Sequence, residues 1–143
     1  TVTVTEDVPK SFALQVSDAE NDFLTFSFVT SPSKGTLNAT ATPGTYVYTP
    51  SLNASGSDTF TFKVSDNYLE SSVATVSIPI DPVNDQPNAS NGSLAVGKNT
   101  AKNGTLVASD PDNDTLAFSV VTPPAHGTLS GTPPALTYTP AGN

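Results

Sequence analysis

The residues best equipped for chemistry are carboxylates, and the chain uses their pattern twice. Asp18, Glu20 and Asp22 stand at every second position within SDAENDFLTFSFVTSPSKGTL, residues 17–37. Asp110, Asp112 and Asp114 do the same within SDPDNDTLAFSVVTPPAHGTL, residues 109–129. The two stretches align without a gap at an offset of 92, with 13 of 21 positions identical. Clustered carboxylates supply hard oxygen donors for a divalent cation such as calcium, which takes roughly six to eight of them in flexible geometry. The same residue types also build turns, because Asp and Asn side chains bond nearby backbone and tolerate left-handed conformations.

Other chemistries have less in their favour. His126 is the sole histidine and its counterpart in the first copy is Lys34, with no identifiable serine or cysteine nucleophile arrangement beside it. The paired carboxylates recur in both copies, as a structural feature would, so the chain is expected not to be an enzyme. Five lysines, no arginine and thirteen acidic residues give a formal charge of −8. No basic patch exists to neutralise phosphates, which argues against nucleic acid as a partner. Cysteine is absent, excluding disulfides and thiolate metal sites. No apolar run approaches the length of a membrane helix, so no membrane insertion is expected in this segment, and the lack of a signal peptide at Thr1 suits a piece from within a longer exported protein. Asn-x-Ser/Thr sequons make Asn38, Asn53, Asn88, Asn91 and Asn103 candidate glycosylation sites; Asn113, inside the acidic loop, is the least credible. Tyr46, Tyr48 and Tyr138 fall in strand patterns that suit packing, whereas Tyr68 follows a turn at Asp66 and Asn67 and is expected to be exposed.

The elements that position these groups read as strands. Hydrophobic residues make up only 36% while Thr, Ser, Asn, Pro and Gly abound, and no window shows helical spacing. Alternation marks strands at residues 2–5, at Phe12, Leu14 and Val16, at Leu24, Phe26 and Phe28, around Thr36 and Leu37, at Tyr46 to Tyr48, at Phe60, Phe62 and Val64, and at Ala74 to Ile80. About seven strands separated by turn signals predict an all-β, immunoglobulin-like sandwich, with a closed barrel as the lesser alternative. The expected core is Phe12, Leu14, Val16, Leu24, Phe26, Phe28, Phe60, Phe62, Val64, Val76 and Ile78. Pro79 in the last strand predicts a free edge or a bulge there.

A period near 90 residues fits tandem small domains. Residues 1–87 form one complete repeat ending in a short proline-bounded linker, DPVNDQP at 81–87, and residues 88–143 form a second repeat that lacks its last two strands. An open sandwich invites strand pairing, so the alternatives are a piece cut from a longer array and a filament whose neighbouring copies supply the missing strands.

Taken together, TEDVP at 5–9, SDAENDFLTFSF at 17–28, KGTL at 34–37, YTP at 48–50, SDTFTFKVSD at 57–66 and VND at 83–85 resemble the cadherin-like, immunoglobulin-type tandem repeats of very large bacterial surface proteins and adhesins. The resemblance implies calcium at domain junctions. On that pattern Glu6, Asp81, Asn84, Asp85, Asp110 and Asp112 are the ligands of one junction, and Asp18, Glu20 and Asp22 serve the junction before Thr1. Lys98 and Asn99 stand where the first repeat has Glu6 and Asp7. The implied role is a non-catalytic extracellular spacer or stalk in a cell-surface adhesin or fibre, partnered by neighbouring repeats or neighbouring copies. The alternative is a module that binds a surface glycan or protein, or a filament subunit assembled by strand complementation.

Overall fold

Alternation in the first half of the chain yields seven strands: β1 (Val4–Thr5), β2 (Lys10–Ala13), β3 (Thr25–Thr30), β4 (Gly35–Ala39), β5 (Thr45–Pro50), β6 (Gly56–Ser65) and β7 (Ala74–Asp81). The structure is a computed structural model describing residues 1–20 and 22–142. Its chain divides into two units, Thr1–Asn84 and Asp85–Asn143.

In the first unit β1-β7-β6-β3 form one sheet and β2-β5-β4 the other, in the manner of an immunoglobulin-like sandwich. All pairs are antiparallel except β1 with β7, which run parallel through Val4↔Ile80 and Thr5↔Asp81. Strand period two turns Phe60, Phe62, Val76, Ile78 and Ile80 inward from the first sheet, where they meet Tyr46 and Tyr48 of the second. Phe60, Ile78 and Tyr48 are completely buried. Phe28 packs edge-on against Tyr46 and Phe60, with ring centroids 5.1 and 5.7 Å apart. Burying each such side chain contributes about 1.5–3 kcal/mol, which in a chain without cysteine is the main cohesive term.

Three expectations need correction. Val16 is 38% exposed and Phe28 42% exposed, where the alternation placed both in the core. The β2–β5 ladder ends at Ala13↔Thr45 and the chain leaves the sheet after Leu14, carrying Val16 away from it. Phe28 sits at the one register shift in the β3–β6 pairing, which lifts its ring towards the sandwich edge. Of the two alternatives at Pro79 there is no bulge, since it pairs with Ser57 in an unshifted β6–β7 ladder; on the other side of β7 the pairing with β1 is at Ile80 and Asp81, and Pro79 has no ladder partner on that edge. Asp81, assigned to the linker, is the last residue of β7.

The second unit contains β8 (Asn88–Ala89), β9 (Lys102–Thr105), β10 (Ala108–Ser109), β11 (Gly127–Thr132) and β12 (Ala135–Pro140). β8 pairs with β10, and β11-β12-β9 form a three-stranded sheet. That sheet repeats β4-β5-β2 register for register. Lys102↔Tyr138 reproduces Lys10↔Tyr48, and Gly127↔Pro140 reproduces Gly35↔Pro50. The glycine is obligatory in both copies. A Cβ on Gly35 would lie 2.5 Å from Thr49 O and 2.6 Å from the Tyr48 ring, and one on Gly127 would meet Thr139 O and the Tyr138 ring at the same distances. Residues 117–122, the counterparts of β3, are not in a strand.

Candidate functional site

The candidate ligands fall into two groups, one in each unit. In the first unit Glu6 follows β1 directly, and its amide donates to Asp81 O at 2.9 Å. Its side chain is buried, 3% exposed, and Oε2 accepts from the Val83 amide at 3.0 Å. Glu6 therefore ties the end of β7 to the segment that follows, while Asp81 and Asn84 are exposed beside it. Asp7, next along in a left-handed conformation (φ 58°), accepts from the Asn53 amide through Oδ1 at 2.9 Å.

In the second unit Asp110 Oδ1 accepts from the amides of Asp112 and Asp114 at 3.0 and 3.2 Å. Asp112 Oδ2 accepts from the Asp85 amide at 2.7 Å, and Asp85 Oδ2 is sealed from solvent. The twin loop follows the same rule, with Asp18 Oδ1 accepting from the amides of Glu20 and Asp22 at 3.0 Å each. The first aspartate of each loop thus engages its own backbone, as Asx turns do, and leaves the next carboxylate to reach elsewhere. Glu20 and Asp22 are exposed. The structure brings Glu6 and Asp81 together in one unit and Asp85, Asp110 and Asp112 into one bonded loop in the other. Among the described residues, no group of three or more His, Cys, Asp or Glu side chains is gathered as a ready metal cage. The donors are nonetheless of the type calcium selects, all hard oxygens, with Glu6 and Asp85 partly withdrawn from water, where a carboxylate needs hydrogen bonds or a cation to offset its lost hydration.

A further acidic group escaped the sequence reading. Asp58 is 4% exposed on β6 and accepts five hydrogen bonds. Oδ1 takes the Ser33 amide at 2.9 Å, the Ser33 hydroxyl at 3.2 Å and the Thr59 amide at 2.8 Å; Oδ2 takes the Lys34 amide and the Tyr48 hydroxyl, both at 2.8 Å. Burial alone would raise its pKa, but the donors from Ser33, Lys34, Tyr48 and Thr59 together hold it below the ordinary 3.8. Burial, then the bond to Asp58 and its charge, push the Tyr48 hydroxyl well above 10. The signal was parity: Asp58 shares the inward face of β6 with Phe60 and Phe62, and a carboxylate on a core face demands partners.

A family model described as bacterial cadherin-like domain matches residues 1–82, and one described as bacterial Ig domain matches residues 84–143. The chain belongs to the bacterial cadherin-like domain family. This cadherin-like chain is 34% identical over 132 residues to integrin beta-like protein A of Dictyostelium discoideum, covering 76% of itself and 7% of that protein. It is 30% identical over 86 residues to integrin beta-like protein E of the same organism, covering 58% of itself and 4% of that protein. It therefore spans a small fraction of the curated relatives it matches. Among solved structures it resembles an endo-fucoidan hydrolase of glycoside hydrolase family 107 with a TM-score of 0.50, 24% identity, 99% of this chain and 23% of that one, a likeness of fold alone. Both matched domain types are non-enzymatic, and together with the integrin-beta-like relatives they support an adhesion-type extracellular repeat.

The remaining candidates lie on the surface of the cadherin-like chain. Asn38, Asn53, Asn88, Asn91 and Asn103 are all exposed. Asn103 Oδ1 already accepts from the Thr137 hydroxyl at 2.8 Å within the β9–β12 pairing. Tyr68 and Leu69 are 85% and 76% exposed at the turn after β6. Asp66 Oδ1 accepts from both of their amides, at 2.8 and 2.7 Å, and those bonds hold its pKa down.

Proposed function

We propose that the chain is a non-catalytic spacer repeat of a cell-surface adhesin or fibre, working outside the cell beside neighbouring repeats or copies, and that its carboxylates around residues 81–85 bind calcium. The observation that carries the reading is the cadherin-like match over a complete sandwich whose closing strand leads straight into a short acidic, proline-bounded segment. Glu6, Asp81, Asn84, Asp85, Asp110 and Asp112 are the ligand candidates of this proposal; Asp18, Glu20 and Asp22 would serve a preceding repeat. Calcium would supply a charge that offsets clustered carboxylates and restrains the segment they flank. Isothermal titration of the full chain with calcium, alongside thermal unfolding with and without chelator, tests it. Binding with a rise in Tm supports the proposal; no heat and no shift at millimolar calcium removes the cation from it.

A second reading rests on Tyr68 and Leu69, two large apolar side chains held outward by the Asp66 turn. Such a tip suits stacking on a sugar ring or insertion into a partner protein. Retention on a glycan array that Tyr68→Ala abolishes would favour a binding module over a spacer.

A further inference from the structure

The turn between β6 and β7 shows more apolar surface than its fold requires. Asp66 Oδ1 accepts from the amides of Tyr68 and Leu69, and Asn67 takes a left-handed φ of 77°, so Asp66 and Asn67 close the turn by themselves. Nothing in that closure needs large side chains at the next two positions, yet Tyr68 and Leu69 stand there, both turned to solvent. Phe23, 69% exposed, belongs to the same end of the sandwich. Thr25, two residues on and so at most roughly 7 Å away, pairs with Ser65 and donates its hydroxyl to Ser65 O at 3.1 Å, and Ser65 bridges to Glu70 across the turn. The internal repeat shows that the loop does not depend on Phe23. The twin loop at Asp110 to Asp114 is built by the same aspartate-to-amide bonds, with an exposed Thr115 where the first copy has Phe23. Phe23 also borders a groove of about 230 Å³ whose wall includes Leu24, Phe26, Pro43 and Tyr46.

The charge around this apolar end has one sign. Glu20 and Asp22 lie just ahead of Phe23 and are exposed, Asp66 holds the turn and Glu70 follows it. Lys63 is the lysine on the adjoining stretch of β6, and it is engaged by Glu70 at 3.1 Å. Lys34 donates to Ser55 O ahead of β6, at the other end of that ten-residue strand. A second copy would bring the same acidic end, and a nucleic acid, an anionic glycan or an anionic lipid would bring the same sign of charge, so each is repelled. A neutral sugar makes no use of the carboxylates. A cationic side chain uses both features: its head lies over the face of the Phe23 or Tyr68 ring within reach of the carboxylates, while its aliphatic stem packs against Leu69.

We propose that Phe23, Tyr68 and Leu69 form a docking site for a protein segment that presents arginine or lysine among apolar side chains, one of the apolar side chains entering the groove beside Phe23. The proposal rests on the reading of the Tyr68 tip as a binding site and names its partner as a cationic protein, not a glycan.

The test is fluorescence anisotropy of the full chain with a labelled peptide of alternating arginine and leucine, in chelator and at low and high salt, beside a matching glutamate and leucine peptide and an array of neutral glycans. The arginine peptide should bind with a Kd on the order of 10–100 µM, more weakly at high salt, and the glutamate peptide should not bind. Phe23→Thr, which installs the residue of the twin loop and alters no charge, should weaken binding by about tenfold or more, and so should Tyr68→Ala. Both positions are exposed, so an unchanged Tm is expected for each variant. In NMR titrations the amides of Phe23, Tyr68 and Leu69 should shift, while those of Asp110 to Asp114, an acidic loop without the aromatics, should stay in place. Binding indifferent to Phe23→Thr and Tyr68→Ala, or equal shifts in both loops, overturns the site, because general attraction to an acidic chain gives that result. Retention on neutral glycans that Tyr68→Ala abolishes, with the arginine peptide unbound, overturns the cationic partner while sustaining the tip as a binding module. No binding of peptide or glycan overturns both.

Discussion

Replacing Asp58 with alanine should cost the first unit a large share of its stability, although Asp58 belongs to no expected ligand set. The substitution removes the acceptor for five donors. Ser33 and Thr59 are exposed residues, so water can reach their amides. The Tyr48 hydroxyl is fully buried and Lys34 partly so, and those two donors are stranded. At about 1–3 kcal/mol for each stranded donor, the loss is roughly 2–6 kcal/mol. A unit of this size has about 4–13 kcal/mol in total, at ~0.05–0.15 kcal/mol per residue. With a urea m-value near 2 kcal/mol/M the midpoint should fall by roughly 2 M. Urea titration followed by NMR at the Phe60 and Phe62 amides reads the first unit by itself. A midpoint within about 0.3 M of the parent's would refute the reasoning, since that is what a solvated surface carboxylate gives. Asp58→Asn should be milder, because its carbonyl oxygen can keep the Ser33 and Thr59 bonds.

Further expectations follow from the same packing. Asp58 has a folded-state pKa below its unfolded 3.8, so its contribution is complete above pH 4 and is lost as the solution is acidified through the lower folded value. Tyr48, with its pKa raised in the fold, contributes fully below pH 10 and loses that contribution in more alkaline solution; Tyr48→Phe should flatten the alkaline limb of a stability profile. Gly35→Ala should destabilise the first unit by about 1–3 kcal/mol through the clash with Thr49 O and the Tyr48 ring, measured by the same urea titration. Phe60→Ala should cost about 3–5 kcal/mol in that assay, as the centre of the aromatic cluster. Glu6→Gln keeps an oxygen for the Val83 amide while losing the charge, so calcium-dependent changes in Tm should weaken more than Tm in chelator.

The positions of the strands along the chain were legible because inward residues at every second position announce a half-buried strand, and all seven strands of the first unit carry that signature or adjoin it. What alternation conceals is where a strand stops. Val16 continues the parity of Phe12 and Leu14, but β2 loses its partner at Ala13. The twin case is LAFSVV at 116–121, which reads like LTFSFV at 24–29 and yet forms no strand, because a ladder is a property of two segments and the pattern of one cannot report the other. Asp58 was hidden for a different reason. Its SDTF setting reads as a strand entrance, and only the three-dimensional approach of Ser33, Lys34 and Tyr48 turns the carboxylate into a hub. The acidic loops were visible at once, although sequence could not say that the first aspartate of each is engaged by its own backbone.

The parallel pairing of β1 with β7 bears on how the first unit would respond to a pull on its two ends. The chain enters β1 at Val4 and leaves β7 at Asp81 with the strands running in the same direction, joined by Val4↔Ile80, Thr5↔Asp81 and the flanking bonds from Val2 to Ser77 and from Glu6 to Asp81. Tension applied at the termini therefore slides one strand along the other, loading these hydrogen bonds together; an antiparallel pairing of the same strands would peel them apart one at a time. Rupture then requires several bonds to fail in one step, so resistance resides in the barrier to unfolding and not in the equilibrium stability of the sandwich. Under tension such a unit would hold as a shear joint.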